Sequence, residues 1–154
     1  MRFALSLCLL LAITGPVAHA IEAEVMDGDT FVLDGQSIRL WGIEAPELRQ
    51  ECLRDGKRWL PGPESAAALK ALLTQLTEIT CTTRDVDRFG RTVATCRGNG
   101  QDIGYALVGG GWAFDFFEYS RGFYVAAEAR AQAAQRGVWA GECMTPWRWR
   151  RQNR

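Results

Sequence analysis

Three short strand-forming runs follow one another near the start of the chain, Glu22 to Met26, Thr30 to Leu33 and Ser37 to Ile43, with only turns between them. Pairing successive strands in parallel needs a connection of about a dozen residues or more, and none is present here. The runs therefore predict an antiparallel meander, with Asp34-Gly35 as the tight turn between the second and third strands. A second strand pair brackets Asp87-Arg88-Phe89-Gly90, which carries Asp and Gly where a type I turn favours them. Cys81 and Cys96 each lie six residues from an end of that turn, so a symmetric hairpin sets them face to face, within reach of a disulfide.

Helices fill the gaps between these strand groups. Pro63 suits a first helical turn, and Ala67, Leu69, Leu72, Leu73 and Leu76 form one apolar stripe, predicting a helix from 63 to 76. Asp102 can cap a short helix through Val108, and the Ala-rich run from Phe123 to Gln135 predicts a third helix stopped by Gly137. This order predicts an α+β, mainly β fold: a five-stranded Greek-key barrel of the OB type with three flanking helices.

Residues 1–20 read as a secretory signal peptide, with basic Arg2, an apolar run from Phe3 to Ile13 and the small-x-small ending Ala18-His19-Ala20. The domain then spans 21–142, and 143–154 is a Trp/Arg-rich C-terminal extension. The chain is expected to be exported, periplasmic or secreted, with no membrane partner after cleavage. Removal of Arg2 leaves 17 Lys+Arg against 18 Asp+Glu, so a polyanion has to be gripped by placed side chains rather than by a general positive field. Sixteen of the 18 basic residues are arginine, whose planar fork suits two-point contact with phosphate. The only histidine, His19, leaves with the leader, which excludes histidine zinc sites, histidine bases and Ser-His-Asp triads from the mature chain. Four cysteines remain, and an even number in an oxidising compartment implies bridges: Cys81 with Cys96, and Cys52 either with Cys143 or free alongside it.

The chemistry concentrates between Asp27 and Glu47. In an up-down-up meander the turn Met26–Thr30 and the end of the third strand, Ile43–Glu47, lie at the same end of the sheet. Asp27 or Asp29 therefore meets Glu44 and Glu47, and carboxylates so gathered repel unless a cation sits among them; hard divalent ions take such oxygen ligands. Arg39 lies inside the third strand, with Ile38 and Leu40 on the opposite face, and a bend at Gly42 brings its guanidinium toward the acids. Arg91 follows the Asp87–Gly90 turn at the mouth of the second hairpin. A metal with two arginines makes a phosphate clamp.

DGDT at Asp27–Thr30, an arginine-bearing strand ending in IEAPE at Ile43–Glu47, and DRFGR at Asp87–Arg91 after a helix are together similar to the staphylococcal nuclease, or thermonuclease, family, from about Ile21 to Trp139. The resemblance implies an OB-fold enzyme that uses Ca2+ to hydrolyse DNA and RNA phosphodiesters, on single-stranded or unpaired substrate, leaving 3′-phosphate ends. It implies Asp29, Glu44 and the Ala45 carbonyl as calcium ligands, Glu47 as general base, and Arg39 and Arg91 as catalytic arginines. Arg88, Phe89, Phe117 and Tyr119 are the candidate substrate-binding residues. Glu44 stands where the family usually has aspartate, and Phe117 where it tends to have tyrosine; Phe117 either stacks on a base or packs in the core. The alternating Trp147, Arg148, Trp149 and Arg150 of the tail either touch nucleic acid or dock on the barrel, and docking is the expectation. The rival reading is a non-catalytic OB-fold module that binds nucleic acid or protein, which has no use for Glu47 as a base.

Overall fold

A computed structural model describes residues 22–153. The expected signal peptide lies outside them. In chain order the elements are β1 (Ala23–Val25), β2 (Thr30–Leu33), β3 (Gln36–Leu40), β4 (Ile43–Glu44), β5 (Cys52–Arg54), β6 (Lys57–Trp59), α1 (Pro61–Thr74), β7 (Ile79–Val86) and β8 (Thr92–Gly98). There follow β9 (Gln101–Asp102), α2 (Ile103–Gly109), β10 (Phe114–Asp115), α3 (Phe117–Ser120), α4 (Val125–Ala133), a 3-10 turn at Gly137–Ala140 and α5 (Pro146–Gln152).

The meander forms as read, β1 with β2 and β2 with β3, all antiparallel, and Asp34 and Gly35 both take positive φ (51° and 76°) in the turn. The third strand is shorter than expected. It breaks at Trp41-Gly42, where Gly42 takes φ 72°, and resumes as β4, which leaves the main sheet to pair with β10. The disulfide hairpin β7–β8 also forms, and Cys81 faces Cys96 as the symmetric register requires. Symmetry fails nearer the turn. A bulge between Thr83 and Asp85 leaves Arg84 unpaired, which twists the hairpin tip.

The α+β expectation is borne out, whereas closure of the sheet into a barrel is not seen. The main sheet is open and mixed, ordered β1-β2-β3-β8-β7 with β9 on β8, and β3 pairs parallel with β8. That parallel pairing joins strands separated by a long excursion, and strand spacing alone carries no information about which distant strands meet. Around the sheet the described residues form five α-helices rather than three. The Asp55-Gly56 hairpin β5–β6 was also unforeseen, although Asp-Gly is a turn signal.

The core lies between the sheet and α1, α2 and α4, built from fully buried Phe31, Leu40, Leu69, Ile103, Val108 and Tyr124. Helix α1 starts two residues earlier than expected, at Pro61. It buries Leu69 and Leu73 but leaves Ala67 exposed, because Ser65 turns inward to donate to the Trp112 carbonyl (2.7 Å). Asp102 caps α2 by accepting from the Tyr105 N–H (2.8 Å), as expected. Both cysteine pairs are bridged, and Cys52–Cys143 ties the tail to the β5 hairpin. Among the described residues no helix is long and apolar enough to cross a membrane.

Candidate functional site

The β2–β3 register places Thr30 opposite Arg39, which sets Asp29 at the end of the ladder beside the guanidinium. Arg39 Nη1 donates to Asp29 Oδ1 at 2.7 Å, and its Nη2 to Glu44 Oε1 at 3.2 Å. Asp29 also accepts from Thr30 Oγ1 (3.0 Å) and from the Ala45 N–H (2.9 Å). Both acids are almost fully buried, 4% and 3% exposed, and buried carboxylates persist only when paired and hydrogen-bonded in this way. The bend at Gly42 brings Glu44 back toward Arg39, and the pairing of Glu44 with Phe114 fixes its strand. Ala45 meets Asp29 through its amide.

Glu47 follows buried Pro46 and is about one-third exposed. Two features hold its loop. Its N–H donates to Oε1 of fully buried Gln50 (3.2 Å), and Gly62 at the start of α1 lies so close that a Cβ there would overlap the Glu47 carbonyl. Only a residue without a side chain permits that approach.

Across the cleft, Asp87 organises the second turn by accepting from the backbone N–H groups of Phe89 and Arg91 and from Arg91 Nε (2.7 Å). Burial pushes the Asp87 carboxyl up, but the Arg91 side chain and the Arg91 and Phe89 N–H groups together outweigh it and hold the carboxyl below the usual aspartate range. Arg91 Nη1 reaches Thr30 Oγ1 (3.3 Å), the hydroxyl that also donates to Asp29, so the two hairpins are linked at this point. The strand-borne acids and arginines, Glu47, Arg88 and Phe89 all line one cleft of about 800 Å3. Tyr119 lines it too. Phe117 does not: it is 62% exposed, which also removes the core-packing alternative, and its neighbour Phe116 takes the place at the cleft.

Sequence reasoning missed Arg150. The tail docks as expected: Trp147 stacks on Phe116 (centroids 5.2 Å apart, planes at 21°) and meets Phe114 edge-on. What the docking delivers was unforeseen. Arg150 Nη2 donates to both oxygens of Glu44 (2.8 Å each) and Nη1 to Glu47 Oε1 (2.7 Å). A signal existed, because Cys52 lies five residues after Glu47, so a Cys52–Cys143 bridge draws the tail alongside the acid loop. Arg84, the bulge residue, lines the cleft as well, its guanidinium 5.2 Å from the Trp41 ring.

Burial raises the pKa of Glu44, and Asp29 adds to the rise, while Arg150 and Arg39 oppose it. Asp27, whose Oδ1 accepts the Asp29 N–H (3.1 Å), is pushed up to about 6 by burial and by the neighbouring Asp29 charge. Acids strained in this way gain from added positive charge, and hard carboxylate oxygens suit calcium, so the donor chemistry fits that ion. The spacing differs: among the described residues no three acidic, His or Cys side chains are gathered closely enough to hold a metal, because Arg39 and Arg150 are interposed.

Residues 37–141 match the staphylococcal nuclease homologue family. The chain is 36% identical over 123 residues to the succinoglycan biosynthesis protein ExoI of Rhizobium meliloti, covering 79% of this chain and 64% of that protein. It is 28% identical over 149 residues to an uncharacterized 38.1 kDa protein of Capnoides sempervirens, covering 89% of this chain and 41% of the relative, so it spans less than two thirds of either. An uncharacterized endonuclease of Haemophilus influenzae is 30% identical over 138 residues, covering 85% of this chain and 72% of that protein. With the family match running through the Arg39 strand, the acid loop and the Asp87–Arg91 turn, the chain belongs to the staphylococcal nuclease homologue family.

Proposed function

We propose that this chain is an exported, calcium-dependent nuclease that hydrolyses phosphodiester bonds of DNA and/or RNA to 3′-phosphate products, on single-stranded or unpaired substrate. One observation carries the reading: Asp29, Arg39, Glu44, Glu47 and Arg91 converge on a single cleft from two hairpins and a loop, beside the aromatic rings of Phe89, Phe116 and Tyr119. The name of the Haemophilus influenzae relative supports it, as do the two disulfides for export.

In this mechanism Glu47 takes a proton from the attacking water through Oε2, the oxygen left unbonded by the Arg150 contact. The water oxygen bonds to phosphorus, the bond from phosphorus to the 5′ oxygen breaks, and that oxygen collects a proton from solvent. Arg39 and Arg91 neutralise the charge growing on the phosphoryl oxygens. Arginine holds its proton too tightly to be a good proton donor, so Arg91 is cast as a charge stabiliser. Asp29 and Glu44 are the side chains that would hold calcium, which when bound supplies further positive charge at the phosphate. Phe89, Phe116 and Tyr119 offer rings for sequence-tolerant base stacking.

Release of acid-soluble nucleotides from single-stranded DNA and from RNA tests the reading. Cleavage that stops with EGTA and falls about 10²–10⁴-fold in Glu47→Gln is the expected outcome. Tight nucleic-acid binding with no cleavage under any condition supports the non-catalytic module instead.

A further inference from the structure

The acid pair assigned to cation binding and base catalysis is already spanned by a positive group from the far end of the chain. Three bonds from Arg150 reach Glu44 and Glu47, more than Arg39 makes to these two residues. The helix carrying it is fastened at several points. Cys143 is bridged to Cys52, Leu53 and Glu142 exchange backbone hydrogen bonds (3.1 and 2.8 Å), and Trp147 lies on Phe116. Gln50 grips both sides at once, accepting from the Glu47 N–H and donating to the Met144 carbonyl (2.6 Å). The backbone of the tail is thus registered against the acid loop. The Arg150 side chain is the freer part, about one-third exposed on a long flexible stem.

We propose that Arg150 is a tethered cation that occupies Glu44 and Glu47 in the resting protein, so that a divalent ion gains Glu44 only as the Arg150 side chain swings away. The inference rests on the nuclease reading of the cleft, since it takes Glu44 as a calcium ligand. Its physical basis is exclusion. The Glu44 oxygens that a dication needs both accept from one Arg150 nitrogen while Oε1 also accepts from Arg39, so an arriving dication meets two guanidinium charges and displaces the freer one. Glu44 has one methylene more than an aspartate, which gives it reach toward the tail. The tether keeps the displaced guanidinium close, so it returns when the ion leaves. Arg148 and Arg151 on the same helix are exposed and form no ion pair among the described residues, which makes them internal controls for charge alone.

Calcium titrations by calorimetry on the oxidised full chain separate the possibilities. R150Q is expected to bind calcium at least tenfold more tightly than the wild type, R148Q and R151Q within about twofold of it, and R150K in between. In the wild type, the Arg150 Nε–H NMR signal should move to a solvent-exchanging position as calcium is added. Equal affinity in R150Q and wild type, equal tightening in R148Q, or an unmoved Arg150 signal at saturating calcium each overturns the proposal. So does a loss of cleavage in R150Q at saturating calcium with affinity unchanged, which would make Arg150 a substrate clamp. Failure of the underlying nuclease reading is distinct: no variant, R150Q included, would then cleave DNA at any calcium concentration.

Discussion

Two guanidinium groups meet on Glu44, and they arrive by opposite routes. Arg39 comes from a strand whose partner residues lie within the same 20-residue stretch, and it is part of the wall it stabilises, 20% exposed between Asp29 and Glu44. Arg150 comes from more than a hundred residues away, held by a disulfide, a buried glutamine and a stacked tryptophan, and is 35% exposed. The strand-built half of the cleft is structure; the tail-built half is an attachment. A charge that belongs to the wall cannot leave without stripping buried Asp29 of its ion-pair partner, whereas a charge on an attachment leaves Glu44 still held by Arg39.

Stability measurements put most strain on this contrast. Arg39→Ala strips the shared partner from Asp29 and Glu44 and is expected to cost about 3–5 kcal/mol in urea unfolding. Arg150→Gln, whose guanidinium is about one-third exposed and whose loss leaves Glu44 still paired with Arg39, should cost less, about 1–2 kcal/mol. Similar losses in the two variants would erase the distinction.

The bridges sharpen it next. Breaking either pair, as Cys81→Ser with Cys96→Ser or Cys52→Ser with Cys143→Ser, should cost about 2–4 kcal/mol. Only the second should free the tail, visible as a red-shifted Trp147 fluorescence and loss of the Arg150 contacts by NMR. Gly62→Ala tests the loop between the halves: the added methyl pushes on the Glu47 carbonyl, and about 1–3 kcal/mol of stability is expected to go.

The smallest effect concerns the far rim. The depressed pKa of Asp87 means that its contribution is present above the ordinary aspartate value, near pH 4, and is lost as pH falls through its lower folded value. Asp87→Asn should therefore lose a little stability at neutral pH, converge with the wild type in strong acid, and show a slightly shallower pH dependence of unfolding below about pH 4.

Local patterns carried the parts of the fold that neighbours in sequence decide. The Asp34-Gly35 turn, the facing cysteines and the Asp102 cap were legible because each depends on a few adjacent residues and a fixed spacing. The strand-built site was legible for the same reason, since a meander must return Glu44 to the end where Asp29 lies. The barrel was not, because closure depends on which edges meet, and the chain leaves β1 and β7 as separate edges while pairing β3 with β8. The exchange of Phe117 for Phe116 at the cleft turned on where α3 begins, a matter of one residue that no periodicity fixes over so short a helix.

By itself, then, the sequence determined the hairpins, the carboxylates and arginines at their ends, and the cysteines able to bridge, because short-range turn geometry and the period of a strand leave few alternatives. Tertiary structure alone decided that the sheet stays open, that Trp147 finds Phe116, and that Arg150 reaches the acid pair. Contacts of that kind join segments far apart in the chain, and only the packing that brings them together says which will touch.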